Sequence, residues 1–275
     1  MSLTTRIQKI LSGRDPAPAG APAPDRMRPA HAGERSFAFV TGCSRSGTTA
    51  LTDLLNRHPD VAIGFERFAW LARDGRLTPD LFTPERFRDF REGDTHHPDY
   101  SGSPMRSAVL DKVHAARVIG DKIPRLIEHL DMLDGFAGAR VIFIVREPYA
   151  VAQSFVGRST EAGGKWPAGR DHVAAVAEFN RAMASVLTYA RTGRPYLVLD
   201  YDRLFGSREG LDDIWTFLDV DPDRLGRTDD IFDKSAALAG AGKLPEIARE
   251  VALKADFDAF RQVLGLDRMR LARHL

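Results

Sequence analysis

The chain has 275 residues, of which 43% are hydrophobic and 28% charged, which suits one large α/β domain or a domain with an insertion. A formal net charge of +1 argues against a protein that holds nucleic acid through its overall field, while leaving room for local basic clusters that grip one small polyanion. Cys43 is the only cysteine, so neither an internal disulfide nor a cysteine-based metal site is expected. No apolar run reaches the length of a membrane span, and no secretory leader follows Arg6 and Lys9, so a cytoplasmic location is expected.

Residues 1–34 read as a flexible tail. Pro16, Pro18, Pro22, Pro24 and Pro29 lie among Ala and Gly, and such a stretch buries too little apolar surface to offset the entropy of ordering. The folded domain is expected over 35–275. It opens with a short apolar strand at 36–41, then a glycine-containing turn, then a helix over 49–57 that His58-Pro59 stops. A second strand follows at 61–63. From about 65 to 115 no strand-like regularity appears, and the sequence predicts a mostly helical insertion carrying Phe65, Phe68, Trp70, Phe82, Phe87, Phe90 and Tyr100. These aromatics read either as the insertion's own core or as the lining of an acceptor pocket. A strand at 117–120, a helix at 125–133, the strongly apolar strand 140–145 and a helix at 149–158 come next. The pattern closes with a long helix at 171–191, a strand at 196–200 and helices at 207–218 and 245–264. Strands alternating with helices predict βαβ units and a central parallel sheet.

Gly42-Cys-Ser-Arg-Ser-Gly47-Thr48-Thr49 sits between the first strand and the first helix, where backbone N–H groups and a helix N-terminus can cradle an anion. The two glycines have the spacing of a nucleotide P-loop, but Thr48 stands where the triphosphate-binding Lys is expected, and the basic residue is instead Arg45, inside the loop. A loop without that Lys is poorly built for a triphosphate and its metal.

Arg45-Ser-Gly-Thr-Thr49, followed by a helix and His58-Pro59-Asp60-Val61, resembles the 5′-phosphosulfate loop of sulfotransferases that use 3′-phosphoadenosine 5′-phosphosulfate (PAPS). The likeness is to the tyrosylprotein sulfotransferases and their bacterial relatives, runs from about 37 to 218, and fades in the insertion and at the C-terminus. It implies a P-loop-type parallel sheet, PAPS as donor with PAP as product, and no metal. Despite the likeness, the expected cytoplasmic location speaks against a secreted-protein tyrosine, so a small-molecule acceptor hydroxyl or amine is expected, and the charge and the lack of an apolar span predict no nucleic acid or membrane partner. Arg45, Ser46, Gly47, Thr48 and Thr49 would hold the 5′ side. Val145-Arg146 through Ser154 resembles the family's 3′-phosphate element, which assigns that phosphate to Arg146 and Ser154; a planar guanidinium suits it. The likeness further implies Glu66 as general base and Lys122, in Gly120-Asp-Lys-Ile-Pro124, as the charge on the transferring group, with Arg45 assisting. Tyr201 would touch the nucleoside or pack beside it, and a loop ending Gly240-Ala-Gly-Lys243 would close over the donor. Phe65 occupies a position where relatives often carry a second acid.

His58, His96 and His97 are rival bases on chemical grounds, His58 reading as structural because it precedes a helix-ending proline. Two other functions remain open at this level: a P-loop nucleotide kinase or NTPase, which would require Mg²⁺, and a catalytically silent nucleotide-binding protein on the same fold.

Overall fold

The computed structural model describes residues 35–97, 99–160, 169–237 and 244–271. The expected tail over 1–34 and the expected closing loop at Gly240–Lys243 lie outside the described residues. Six strands form one sheet: β1 (Ser36–Thr41), β2 (Val61–Phe65), β3 (Val118–Lys122), β4 (Arg140–Val145), β5 (Tyr196–Asp200) and β6 (Met269–Arg270). Their order is β2-β3-β1-β4-β5-β6, parallel throughout except for the short β6, which pairs antiparallel with β5. The alternation of the strands sorts their side chains onto two faces. Phe39, Ile119, Val141, Phe143 and Val198 enter one apolar cluster; Val40, Ile63, Ile142, Ile144 and Leu199 enter the other. A sheet buried on both faces is what the continuous apolar runs predict.

β1 lies mid-sheet, with the strands that follow it (β2, β3) on one side and the later ones (β4, β5) on the other. That reversal of strand order opens a crevice beyond the carboxyl ends of the strands, where open α/β sheets bind ligands. Helix α1 (Thr48–Asn56) leaves β1 through the glycine loop. The insertion holds α2 (Ala69–Arg73), α3 (Pro84–Arg88) and α4 (Pro104–Lys112), with a 3₁₀ turn at Pro79–Phe82. Its aromatics mostly serve the core: the Phe82 ring meets those of Phe39, Phe68 and Phe136 edge-on at 5.2–5.6 Å, while Trp70 and Phe90 stay exposed.

The remaining helices are α5 (Pro148–Thr160), α6 (His172–Ala190), α7 (Tyr201–Ser207), α8 (Leu211–Leu218), α9 (Asp229–Ala237), α10 (Pro245–Lys254) and α11 (Phe257–Leu264). Several sequence boundaries need correction. The helix expected at 125–133 is two 3₁₀ turns, Pro124–Glu128 and Leu130–Gly135, separated by His129 in a non-helical conformation. The helix expected at 245–264 is broken where Ala255 turns extended and the Asp256 side chain accepts from Ala259 N at 2.8 Å, capping a new helix. Helix α7 was not foreseen; it starts at once after β5 because Asp200 accepts from the N–H groups of Asp202 and Arg203. Neither α9 nor the edge strand β6 was expected. Among the described residues no helix is long and apolar enough to cross a membrane.

Candidate active site

The loop from Gly42 to Gly47 is held by backbone geometry that glycine permits. Gly47 has φ 100° and serves as the N-cap of α1; a Cβ there would lie 2.1 Å from the Tyr201 ring. Arg45 also takes a left-handed conformation, φ 69°. No side chain caps α1 and no acid lies in its first turn, so its N–H groups and positive dipole end stay available to an anion. Ser46 is buried, and its hydroxyl has no hydrogen-bond partner among the described residues. Thr48 is buried at the first helical position and Thr49 is exposed.

A second layer fixes this loop. The buried Glu178 of α6 accepts from Ser44 N at 2.8 Å and from the Arg170 guanidinium at 2.5 Å. Burial, with Glu178 beside it, pushes the Cys43 thiol up and keeps it protonated. The sequence reading missed Glu178. The available signal was an acid on the apolar stripe of a long helix, three residues after Ala175 and four before Ala182.

Arg146 leaves β4 and lays its guanidinium over the Tyr201 ring, 4.2 Å from the centroid. Among the described residues its Nε is buried without a hydrogen bond, with an Asp202 carboxylate oxygen 3.9 Å away. Tyr201 therefore wedges between Gly47 and Arg146, tying the loop to the end of β4. Ser154 accepts from Arg45 Nε at 3.0 Å. The residues assigned to the two ends of the donor thus converge on one side of the crevice.

The third cluster lies at the ends of β2 and β3. Glu66 follows β2 with φ 62°, an unusual conformation for a side-chain-bearing residue. Hydrogen bonds on every side enforce it: Glu66 N donates to Lys122 O at 2.9 Å, and Thr95 Oγ1 donates to Glu66 O at 2.7 Å. The buried Asp121 carboxylate accepts from Arg67 N (3.1 Å) and Phe68 N (2.8 Å). Burial raises Asp121 to about 7 against the pull of those two N–H groups. The turn places the Glu66 carboxylate 2.5 Å from Lys122 Nζ and 3.3 Å from His96 Nε2. Lys122 is 4% exposed and Glu66 24%. Burial works to raise the Glu66 carboxyl, but Lys122 and the two neighbouring histidines outweigh it and hold it below the ordinary carboxylate range.

Arg67, the neighbour that might have claimed Glu66, is fully buried and pairs with Asp94 at 2.8 Å, its guanidinium lying 4.1 Å from the Phe90 ring centroid. His96 and His97 stack at 4.1 Å, and burial together with His96 pushes His97 down to about 4. His58 is structural: its Nδ1 accepts from Asp60 N, its Nε2 meets Asp221 O at 2.7 Å, and it lies against Trp215.

The sequence pattern of the sulfotransferase family matches residues 38–223, spanning the loop, Glu66, Lys122, Arg146 and Tyr201. The chain belongs to the sulfotransferase family. Among solved structures, the sulfotransferase domain from the Synechococcus PCC 7002 olefin synthase is 22% identical, covering 82% of this chain and 96% of that one, with a TM-score of 0.44. The sulfotransferase domain from the curacin biosynthetic pathway is 16% identical, with coverages of 80% and 97% and a TM-score of 0.46. Sulfotransferase STF9 from Mycobacterium avium is 15% identical, with coverages of 87% and 79% and a TM-score of 0.44. No curated protein matches the chain. In this sulfotransferase the glycine loop, the Arg146 cluster and the Glu66–Lys122 pair all border the strand ends around β1.

Proposed function

We propose that the protein transfers the sulfuryl group of PAPS to a hydroxyl or amine of a small-molecule acceptor, without a metal ion. The observation that carries this reading is a pair of buried donors, Ser46 Oγ and Arg146 Nε, that have no acceptor among the described residues, with Tyr201 lying between Gly47 and the Arg146 guanidinium beside the uncapped N-terminus of α1. Buried polar groups are normally paired, so two such orphans near one uncapped helix start fit an anionic ligand with charge at two ends. PAPS has that form. Its 5′ end suits Ser46 and the N–H groups of Gly47, Thr48 and Thr49; its 3′-phosphate suits Arg146 and Ser154, with Arg45 between them.

The chemistry then rests on Glu66 and Lys122. The acceptor O–H gives its proton to the Glu66 carboxylate as the oxygen bonds to sulfur in line with the departing 5′-phosphate oxygen. The S–O bond to that oxygen breaks and PAP leaves with the electron pair. Lys122 Nζ, 2.5 Å from Glu66 Oε1, loses its anionic partner when Glu66 is protonated and is free to meet the charge growing on the leaving oxygen. One lysine would so serve both states. The exposed Trp70 and Phe90 of the insertion favour an aromatic or apolar acceptor.

The test is a screen of purified protein with PAPS against phenols, alcohols and amines, with mass detection of the sulfated product and of PAP. Tight PAP binding with no turnover on any acceptor would instead mark a silent nucleotide-binding protein.

A further inference from the structure

Glu66, His96 and His97 present one ligand atom each, all within 4.8 Å of one another. We infer that these three residues form a transition-metal site, and that a Zn²⁺ ion bound there inhibits the enzyme.

Glu66 Oε2 and His96 Nε2 are 3.3 Å apart, which is roughly the separation of two ligands on a tetrahedral zinc with bonds near 2.0–2.1 Å. The other carboxylate oxygen accepts from Lys122, so Oε2 is left facing the histidines while its partner oxygen is hydrogen-bonded, the supporting arrangement that metal-bound carboxylates use. Thr95 ties the two segments together: its hydroxyl donates to Glu66 O and accepts from His97 N at 3.2 Å. His97, half-buried and stacked on His96, brings a ring nitrogen within 4.8 Å of the other two ligand atoms and so supplies the third position. Two imidazoles and a carboxylate select Zn²⁺, Co²⁺, Ni²⁺ or Cu²⁺ over Mg²⁺ and Ca²⁺, which prefer all-oxygen sets. The Lys122 ammonium opposes a dication, which suits reversible occupancy. The bound ion occupies Glu66 Oε2, the one oxygen that Lys122 leaves open to a proton.

The binding claim stands by itself; only the inhibition rests on the sulfuryl-transfer reading. Zn²⁺ competition against a chromophoric chelator, and the visible absorption of added Co²⁺, test the first on the full chain. One equivalent should bind with an imidazole-type Co²⁺ spectrum, and Mg²⁺ should neither bind nor compete. His97→Gln and His96→Gln should each weaken Zn²⁺ at least tenfold, while His114→Gln should leave it unchanged. No stoichiometric binding, or equal affinity in the His96 and His97 variants, overturns the site. Stoichiometric binding with sulfation unaffected keeps the site but removes Glu66 from the proton transfer.

Discussion

Replacing Glu66 with Gln removes the proton-accepting oxygen while keeping shape and one acceptor for Lys122. A positioned base contributes about 10²–10⁴-fold, so kcat should fall by that factor, equivalent to about 3–5 kcal/mol of barrier. Stability should change much less. Lys122 Nζ is nearly buried, but the Gln amide oxygen still accepts its hydrogen bond, so an ion pair becomes a charge–dipole contact at a cost of about 1–2 kcal/mol. For a domain of this size that lowers Tm by about 2–8 °C. The pH dependence carries a sign. Because the folded Glu66 carboxyl sits below its ordinary value, the wild-type rate should hold to pH values below the usual Glu range and fall only as pH drops through the lowered value. The variant should lack that acid limb, and its defect should shrink as assay pH approaches the pKa of a phenolic acceptor. The assay is steady-state sulfation of a verified acceptor from about pH 3, below the ordinary Glu range, to pH 9, with PAP affinity measured alongside. Full turnover by Glu66→Gln would refute the reasoning and leave Glu66 as a structural partner of Lys122.

Arg146→Ala should erase most of the preference for PAP over 5′-AMP in isothermal titration, a loss of about 1.5–3 kcal/mol for a charge-assisted pair; equal wild-type affinity for both nucleotides contradicts the 3′-phosphate assignment. EDTA should leave sulfation intact or raise it by stripping a bound inhibitory metal, and a requirement for added Mg²⁺ would favour the kinase reading. Gly47→Ala should cost both stability and PAP binding, since a Cβ would meet the Tyr201 ring at 2.1 Å and Ala disfavours φ 100°; an unchanged Tm argues that the ring moves freely. Asp121, raised to about 7 when folded, binds more protons in the native state than in the unfolded chain between about pH 4 and 7. Its contribution should therefore lower stability as pH rises through 7, and Asp121→Asn should flatten that part of the Tm-against-pH curve.

The parallel sheet and the glycine loop between β1 and α1 were legible because their signals are local. A buried strand needs a short apolar run, and a phosphate-type turn needs glycines at set spacing before a helix, so both appear within a dozen residues around Gly42. The break at Asp256 was harder to see, because a capping side chain inside an amphipathic pattern leaves the apolar period intact. What tertiary structure decided is who pairs with whom. Glu66 stands beside Arg67 in sequence but pairs with Lys122, 56 positions away, because a left-handed turn held by Asp121 and Thr95 points consecutive side chains in different directions. Glu178 reaches Ser44 across 134 positions, and His96 reaches Glu66 from an insertion without regular period. Contacts of that span depend on how a parallel sheet brings the ends of distant strands and their loops to one edge. Charge and spacing within the chain name the candidates, and only that convergence settles their partners.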